Sequence, residues 1–500
     1  MTREEFGKLA DSFIEDNREA MIKELMGFVS HPSVSRADLA APGAPYGPDC
    51  RAMLDYALER GKKVLGILPD GTDDPLFRAE DYEGHCGALL YGDAEEEMGV
   101  VAHLDVVPEG NGWIYEPFSP VIKDGFMIGR GADDNKAAAV IGLYLMKFFR
   151  EHRGELPLKH TLRLFMGCAE ETGMADFRWY VNEFGGKVPG FSIVADSGFP
   201  ACYAQKGGFN ATLRAKRDPN LVSFAAGTVR NAIPDRAFLT VSGISKEKAG
   251  EILSAMSVPA GASLSAEDVS AEAGQGGTAV RITALGKGGH AAFPDNSINA
   301  IELAFCAAEA LNGCDGICLD NLAFLAKAFR SPFGEGLGID FSDEASGKLT
   351  INAGIIRADG DETVLDIDIR FPVSISSSRV EEALRDSLTP AGIALTDISA
   401  SEPYYIDPES PVVTALMDVY REITGDTEAV PYSMGGGTYS RTVPNAITFG
   451  PGLGSRGHRQ EFLPEGHGGA HGPDEVLNIE DWFTGFRIYL ESFWKLDTIV

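Results

Sequence analysis

Along the opening forty residues, Phe6, Leu9, Phe13, Met21, Leu25 and Phe28 recur at three, four or longer multiples that keep one helical face apolar. The pattern predicts a helical entry segment. From Ala88 the texture changes to short apolar runs bounded by turn residues, at 98–102, 162–166 and 192–195, which read as buried strands. Between the first two lies an apolar helix over 137–149. The order strand, helix, strand implies a mainly parallel sheet with helices packed on it. After about Gln205 strands and turns alternate. The Ala-, Ser- and Gly-rich stretch 254–277 reads as linkers or loose surface elements, and 279–284 and 363–369 read as strands, the latter half-solvated by its period of two. Helix and Gly-rich loops return from about Pro411. No repeat of fixed period interrupts this order.

A chain of 500 residues has room for about two to four domains and buries a core without covalent staples. Its net charge of −31 repels phosphate backbones and anionic membrane surfaces, which excludes nucleic acid and membrane as main partners. The seven cysteines are scattered and read as reduced, and Cys314 and Cys318 have no second pair or His pair to complete a zinc site. The start, Met1 to Phe6, is acidic and without an apolar core, and the apolar window 137–149 is too short to span a bilayer. A cytoplasmic protein is the expectation.

Five segments carry acids and histidines where an apolar run gives way to a loop, the place at which α/β sheets hold functional groups. His103 and Asp105 end the first, two residues apart and so directed to one side, where the carboxylate can orient the imidazole. Asp133 and Asp134 follow glycines before the apolar helix, and capping that helix is the commonest employment for an Asp such as Asp133. Glu170 and Glu171 leave a buried strand before Gly173, with diverging side chains that let one bind metal while the other faces a water. Asp196 ends another strand, and His471 sits in a Gly-rich loop ahead of Glu475. Each alone has a bland reading as a solvated surface group, but the five in this order point to two-metal hydrolysis.

With His-x-Asp at His103, Gly-Arg-Gly-x-x-Asp-x-Lys ending at Lys136, Glu-Glu-x-Gly at Glu170 and the late His471, the chain resembles peptidase family M-twenty over nearly its whole length. The resemblance implies an α/β fold: a zinc-peptidase catalytic domain with a mainly parallel mixed sheet, plus an inserted α+β lid domain. The catalytic domain would comprise 1–204 and 403–500, and the lid 205–402. It implies two zinc ions, with manganese or cobalt acceptable to the same ligands. His103 and Asp196 would bind one, Glu171 and His471 the other, and Asp134 would bridge them. Asp105 would orient His103, and Glu170 would be the general base for a water between the metals. In the lid, Asn231, His290 and Arg370, with the backbone of Gly436 and Gly437, would hold the substrate. Arg370 could instead form a salt bridge across its strand. The enlarged lid resembles the Xaa-His dipeptidase branch, which implies a monomer acting on small peptides. An N-acyl amino acid deacylase or desuccinylase is the alternative within the family, and a non-catalytic binding protein the alternative outside it. The sequence departs from the family at Asn135, Ala137 and Ala169, none of them a ligand, and His458 or His467 could stand in for His471.

Overall fold

A capping box starts the entry helix α1, Arg3–Val29: the Thr2 hydroxyl accepts the Glu5 amide and the Glu5 carboxylate accepts the Thr2 amide. The helix buries Phe6, Phe13, Met21, Leu25 and Phe28, the face that the spacing predicts. The computed structural model describes residues 1–500 except 271–276, 292–293, 455–456 and 459. It divides into two compact units, Met1–Tyr203 with Ile406–Tyr432 and Thr438–Val500, and Ala204–Tyr405 with Ser433–Gly437.

In the first unit, α2 is Pro48–Leu65 and α3 is Lys136–Glu151. The strands β1 (Phe77–Tyr82), β2 (Cys86–Tyr91), β3 (Glu97–His103), β4 (Thr161–Gly167) and β5 (Phe191–Val194) enter one mixed sheet in the order β1-β2-β4-β3-β5, continued by Ala446–Phe449 and Ala201–Gln205. Its centre, β4, β3, β5 and Ala446–Phe449, is parallel. Both faces of these strands are covered, and every residue of β3 and β4 is buried, in keeping with their largely apolar runs. α3 is apolar nearly all round because it packs against the sheet, α1, α2 and the last helix, Ile479–Leu496. The parallel strands therefore deliver their carboxyl ends to one rim.

The second unit is an eight-stranded antiparallel sheet ordered Ser263–Asp268, Ala279–Leu285, Arg236–Ser242, Leu221–Ala226, Thr350–Asp359, Glu362–Phe371, Gly207–Lys216, Ala394–Ser401. Helices including Ala300–Leu311 and Asp320–Ala328 share its apolar core. Two expectations fail here. The stretch read as loose contains the edge strand Ser263–Asp268, whose small and polar side chains alternate too weakly to register as a strand; its residues 271–276 lie outside those described. The strand read as half-solvated is interior and buried on both faces, because Thr212, Arg230 and Arg357 close over Asp366.

Candidate metal centre

The rim at the carboxyl ends of the parallel strands gathers six side chains from distant stretches of chain. His103 ends β3, Glu170 and Glu171 follow β4, Asp196 follows β5, Asp134 precedes α3, and His471 comes from the late Gly-rich loop. Ligand atoms of His103, Asp134 and Glu171 lie within 4.8 Å of one another, as do those of His103, Glu170 and Asp196. Asp134 is shared between the two imidazoles: its Oδ1 is 3.0 Å from His103 Nε2 and its Oδ2 is 3.0 Å from His471 Nε2. His103 Nε2 is also 3.6 Å from Asp196 Oδ1, and His471 Nε2 is 2.9 Å from Glu171 Oε1. His471 adopts a left-handed φ of 63°, a cost that its surroundings sustain at this position.

The tautomer of His103 follows from its other nitrogen. Nδ1 is 2.8 Å from the backbone carbonyl of Asp105, which can only accept, so Nδ1 carries a proton and Nε2, which donates to the Asp134 carboxylate at 3.0 Å, is the nitrogen a metal would take. Asp105 thus orients His103 mainly through its carbonyl. Its carboxylate, 3.5 Å from the same nitrogen, accepts the amides of Glu170 and Glu171 at 3.1 Å each and fixes the glutamate loop.

Three further groups hold the frame, and sequence reasoning assigned them no such role. Glu475 Oε1 accepts the amides of Gly131, Asp133 and Asp134 at 3.1, 2.9 and 3.0 Å, while its Oε2 pairs with buried Arg130 at 2.6 Å. Asp176 Oδ2 accepts the amides of Cys168 and Ala169 at 2.7 and 2.9 Å and the Tyr439 hydroxyl at 2.6 Å. Asn135 accepts the His103 amide and donates to the Ala195 carbonyl and the Asp196 carboxylate. Asp133 does not cap α3: the N-cap is Asn135, which makes no side-chain capping bond.

The cluster's electrostatics favour cations. Burial would depress the His103 pKa, but the Asp134 and Asp196 carboxylates carry it well above its ordinary value. The Asp134 carboxyl is held low by the two imidazoles against the effect of burial. Glu170 is pushed well above the usual carboxylate range, first by burial and then by Asp196. His471 rises to about 10 through its bonds to Asp134 and Glu171. Among the described residues no Lys or Arg forms an ion pair with Asp134, Glu170, Glu171 or Asp196. Four carboxylates balanced by two imidazoles make a hard, anionic donor set that suits a pair of divalent ions.

Of the late histidines, His471 reaches this cluster, whereas His467 is held by Asp474 at 2.6 Å and His458 by Asp481. In the second unit, His290 pairs in register with Ala232, the Asn231 carbonyl accepts the Ala291 amide, and Arg370 lies close enough to lower the His290 pKa, after burial. Arg370 binds Asp368 in a two-pronged pair at 2.9 Å along its own strand. Gly436 and Gly437 lie in the loop after Met434.

The profile of Peptidase family M20/M25/M40 matches residues 99–495. The chain is 30% identical over 489 residues to "Putative dipeptidase YtjP" of Bacillus subtilis (strain 168), covering 96% of this chain and 97% of that one. It is 27% identical to a relative of the same description from Staphylococcus saprophyticus, covering 97% and 98%. Human carnosine dipeptidase 1 shares the fold with a TM-score of 0.52 at 15% identity, covering 98% of this chain and 100% of that one. Aminoacylhistidine dipeptidase from Vibrio alginolyticus does so with 0.51 at 14% identity, covering 96% of each.

Proposed function

The chain belongs to peptidase family M20/M25/M40, and on that premise we propose that it is a dinuclear metal-dependent dipeptidase. The observation that carries the reading is the shared Asp134 carboxylate, one oxygen toward each imidazole, with Glu170 half-buried in the same cluster. In this reading His103 and Asp196 hold one ion, Glu171 and His471 the second, and Asp134 lies between them. The relatives described as dipeptidases supply the reaction class. Zinc suits the imidazole and carboxylate donors, and manganese or cobalt would be accepted.

When bound, the ions supply Lewis acidity that polarises the scissile carbonyl and makes water acidic near neutral pH. The protein's part is positioning and proton transfer. Glu170, not needed as a ligand in this assignment, takes a proton from the attacking water and returns it to the leaving amine. The Asp105 carboxylate fixes the Glu170 and Glu171 amides, so base and ligand keep their divergent directions. Asn231, His290 and Arg370 are the proposed grip on the substrate's carbonyl and carboxylate, with the backbone of Gly436 and Gly437 beside them. A cytoplasmic monomer completes the reading.

Glu170→Gln tests it: kcat on a dipeptide panel should fall by about 10²–10⁴-fold with two metal equivalents per chain retained in elemental analysis. Undiminished turnover would remove the mechanism, and a tight dimer by light scattering would remove the monomer.

A further inference from the structure

Beside the cluster, within the first unit, lies a cavity of about 380 Å³. Asp133, Asp134 and Asp196 line it, together with Ser197, Pro451 and Trp482 among others. Asp133 is exposed, and its amide is pinned to Glu475. Its carboxylate has no hydrogen-bond or ion-pair partner among the described residues. The other charged pair lining the cavity, His458 and Asp481, is closed on itself. Asp133 caps no helix and holds no backbone segment with its side chain, which leaves that side chain to meet a ligand. Unrelieved carboxylates in a cleft are candidates for ligand contact.

Covalent geometry says which ligand. In an unblocked peptide the α-ammonium is two bonds from the scissile carbonyl carbon, within about 2.5 Å of it. Wherever that carbonyl meets the ions, the ammonium must follow, and two dications repel it. A carboxylate that lines the same cavity without serving as a ligand offsets that repulsion, and an N-acylated substrate gives it nothing to bind. Resting on the dipeptidase reading, the geometry points to Asp133 as the acceptor for the free α-ammonium of the substrate's first residue, with the adjoining cavity taking that residue's side chain. The chain is thereby set for unblocked dipeptides rather than N-acyl amino acids.

The test compares leucyl-glycine with its des-amino analogue, 4-methylpentanoyl-glycine, as a ratio of kcat/KM values, with metal content measured on every variant. The parent should prefer the free amine by about tenfold or more, the worth of one charge-assisted hydrogen bond. Asp133→Asn should bring that ratio close to one, chiefly through KM, while two metal equivalents per chain remain. Asp133→Glu should keep the preference, and Asp133→Ser repeats the measurement if the Asn variant loses metal. A preference unchanged in both neutral variants, or a parent that cleaves the des-amino analogue equally well, overturns the proposal and leaves the dipeptidase reading standing. A metal-loaded parent that cleaves neither compound nor any other dipeptide overturns both.

Discussion

Glu475 is where the frame of the metal centre can be tested apart from its ligands. Its carboxylate is wholly buried, holds the Gly131, Asp133 and Asp134 amides on one oxygen, and pairs with Arg130, itself 1% exposed, on the other. Glu475→Gln keeps the shape but replaces one oxygen by an amino group. Turned toward the three amides, that group leaves them with no acceptor; turned toward Arg130, it leaves a buried guanidinium unpaired. The second costs less, because Arg130 keeps the Trp113 ring at 5.2 Å and the Glu109 carbonyl at 3.4 Å. Breaking a buried ion pair by removing one partner costs about 3–5 kcal/mol, and the contacts that Arg130 keeps put the loss at the lower end of that range. A loss of roughly 3 kcal/mol is expected, a large part of a total stability of about 5–15 kcal/mol. Urea titration in excess chelator isolates this from metal linkage. Because a neutral amide oxygen holds the Asp134 amide less strongly than a carboxylate does, metal affinity by chelator competition should also fall, toward the lower end of about 10–100-fold. A stability loss below about 1 kcal/mol, with metal affinity unchanged, would refute the reasoning.

Three other features can be perturbed separately. Burial pushes the Glu302 carboxyl up to about 8 from 4.5, so the folded chain keeps a proton that the unfolded chain gives up across that interval. Stability therefore falls as pH rises through the window, by about 1.4 kcal/mol for each pH unit, and Glu302→Gln should gain on the parent by up to a few kcal/mol between about pH 5 and pH 8.5; a pH-independent difference in urea midpoints would contradict this. At Gly167 an added Cβ would lie 1.9 Å from the Tyr439 hydroxyl and 2.6 Å from Asp176 Oδ2. Gly167→Ala should cost about 1–3 kcal/mol and lower kcat by unseating the Cys168 and Ala169 amides; wild-type kcat and Tm together would rule that out. Stripping metal should lower Tm and restoring it should recover the loss, by about 2.7 kcal/mol at a metal concentration a hundredfold above Kd; a Tm indifferent to chelator speaks against a metal centre.

How much of this was legible in the sequence depends on whether a feature repeats along the chain. β3, β4 and β5 announce themselves as largely apolar runs, and a group placed at the end of a buried parallel strand has nowhere to go but the rim, so His103, Glu170 and Asp196 could be brought to one place from periodicity alone. Asp176 and Glu475 have no such signature. Each acts by accepting backbone amides from a loop, Asp176 a few residues back and Glu475 more than three hundred back, and a backbone donor leaves no letter in the sequence. Asp105 shows the same blindness in one residue: spacing suggested its carboxylate for His103, yet the nearer partner is its carbonyl, which every residue type possesses. The start of α3 is the sharpest case. An Asp–Asp–Asn run before an apolar helix reads as capping by local propensity, but Asn135 spends its side chain on His103, Ala195 and Asp196, Asp134 faces the two imidazoles, and Asp133 is left with no protein partner among the described residues. Local rules assume that a polar side chain serves its own neighbourhood. Where three in succession do not, the helix start is uncapped because its polar groups belong to a site assembled from elsewhere in the chain.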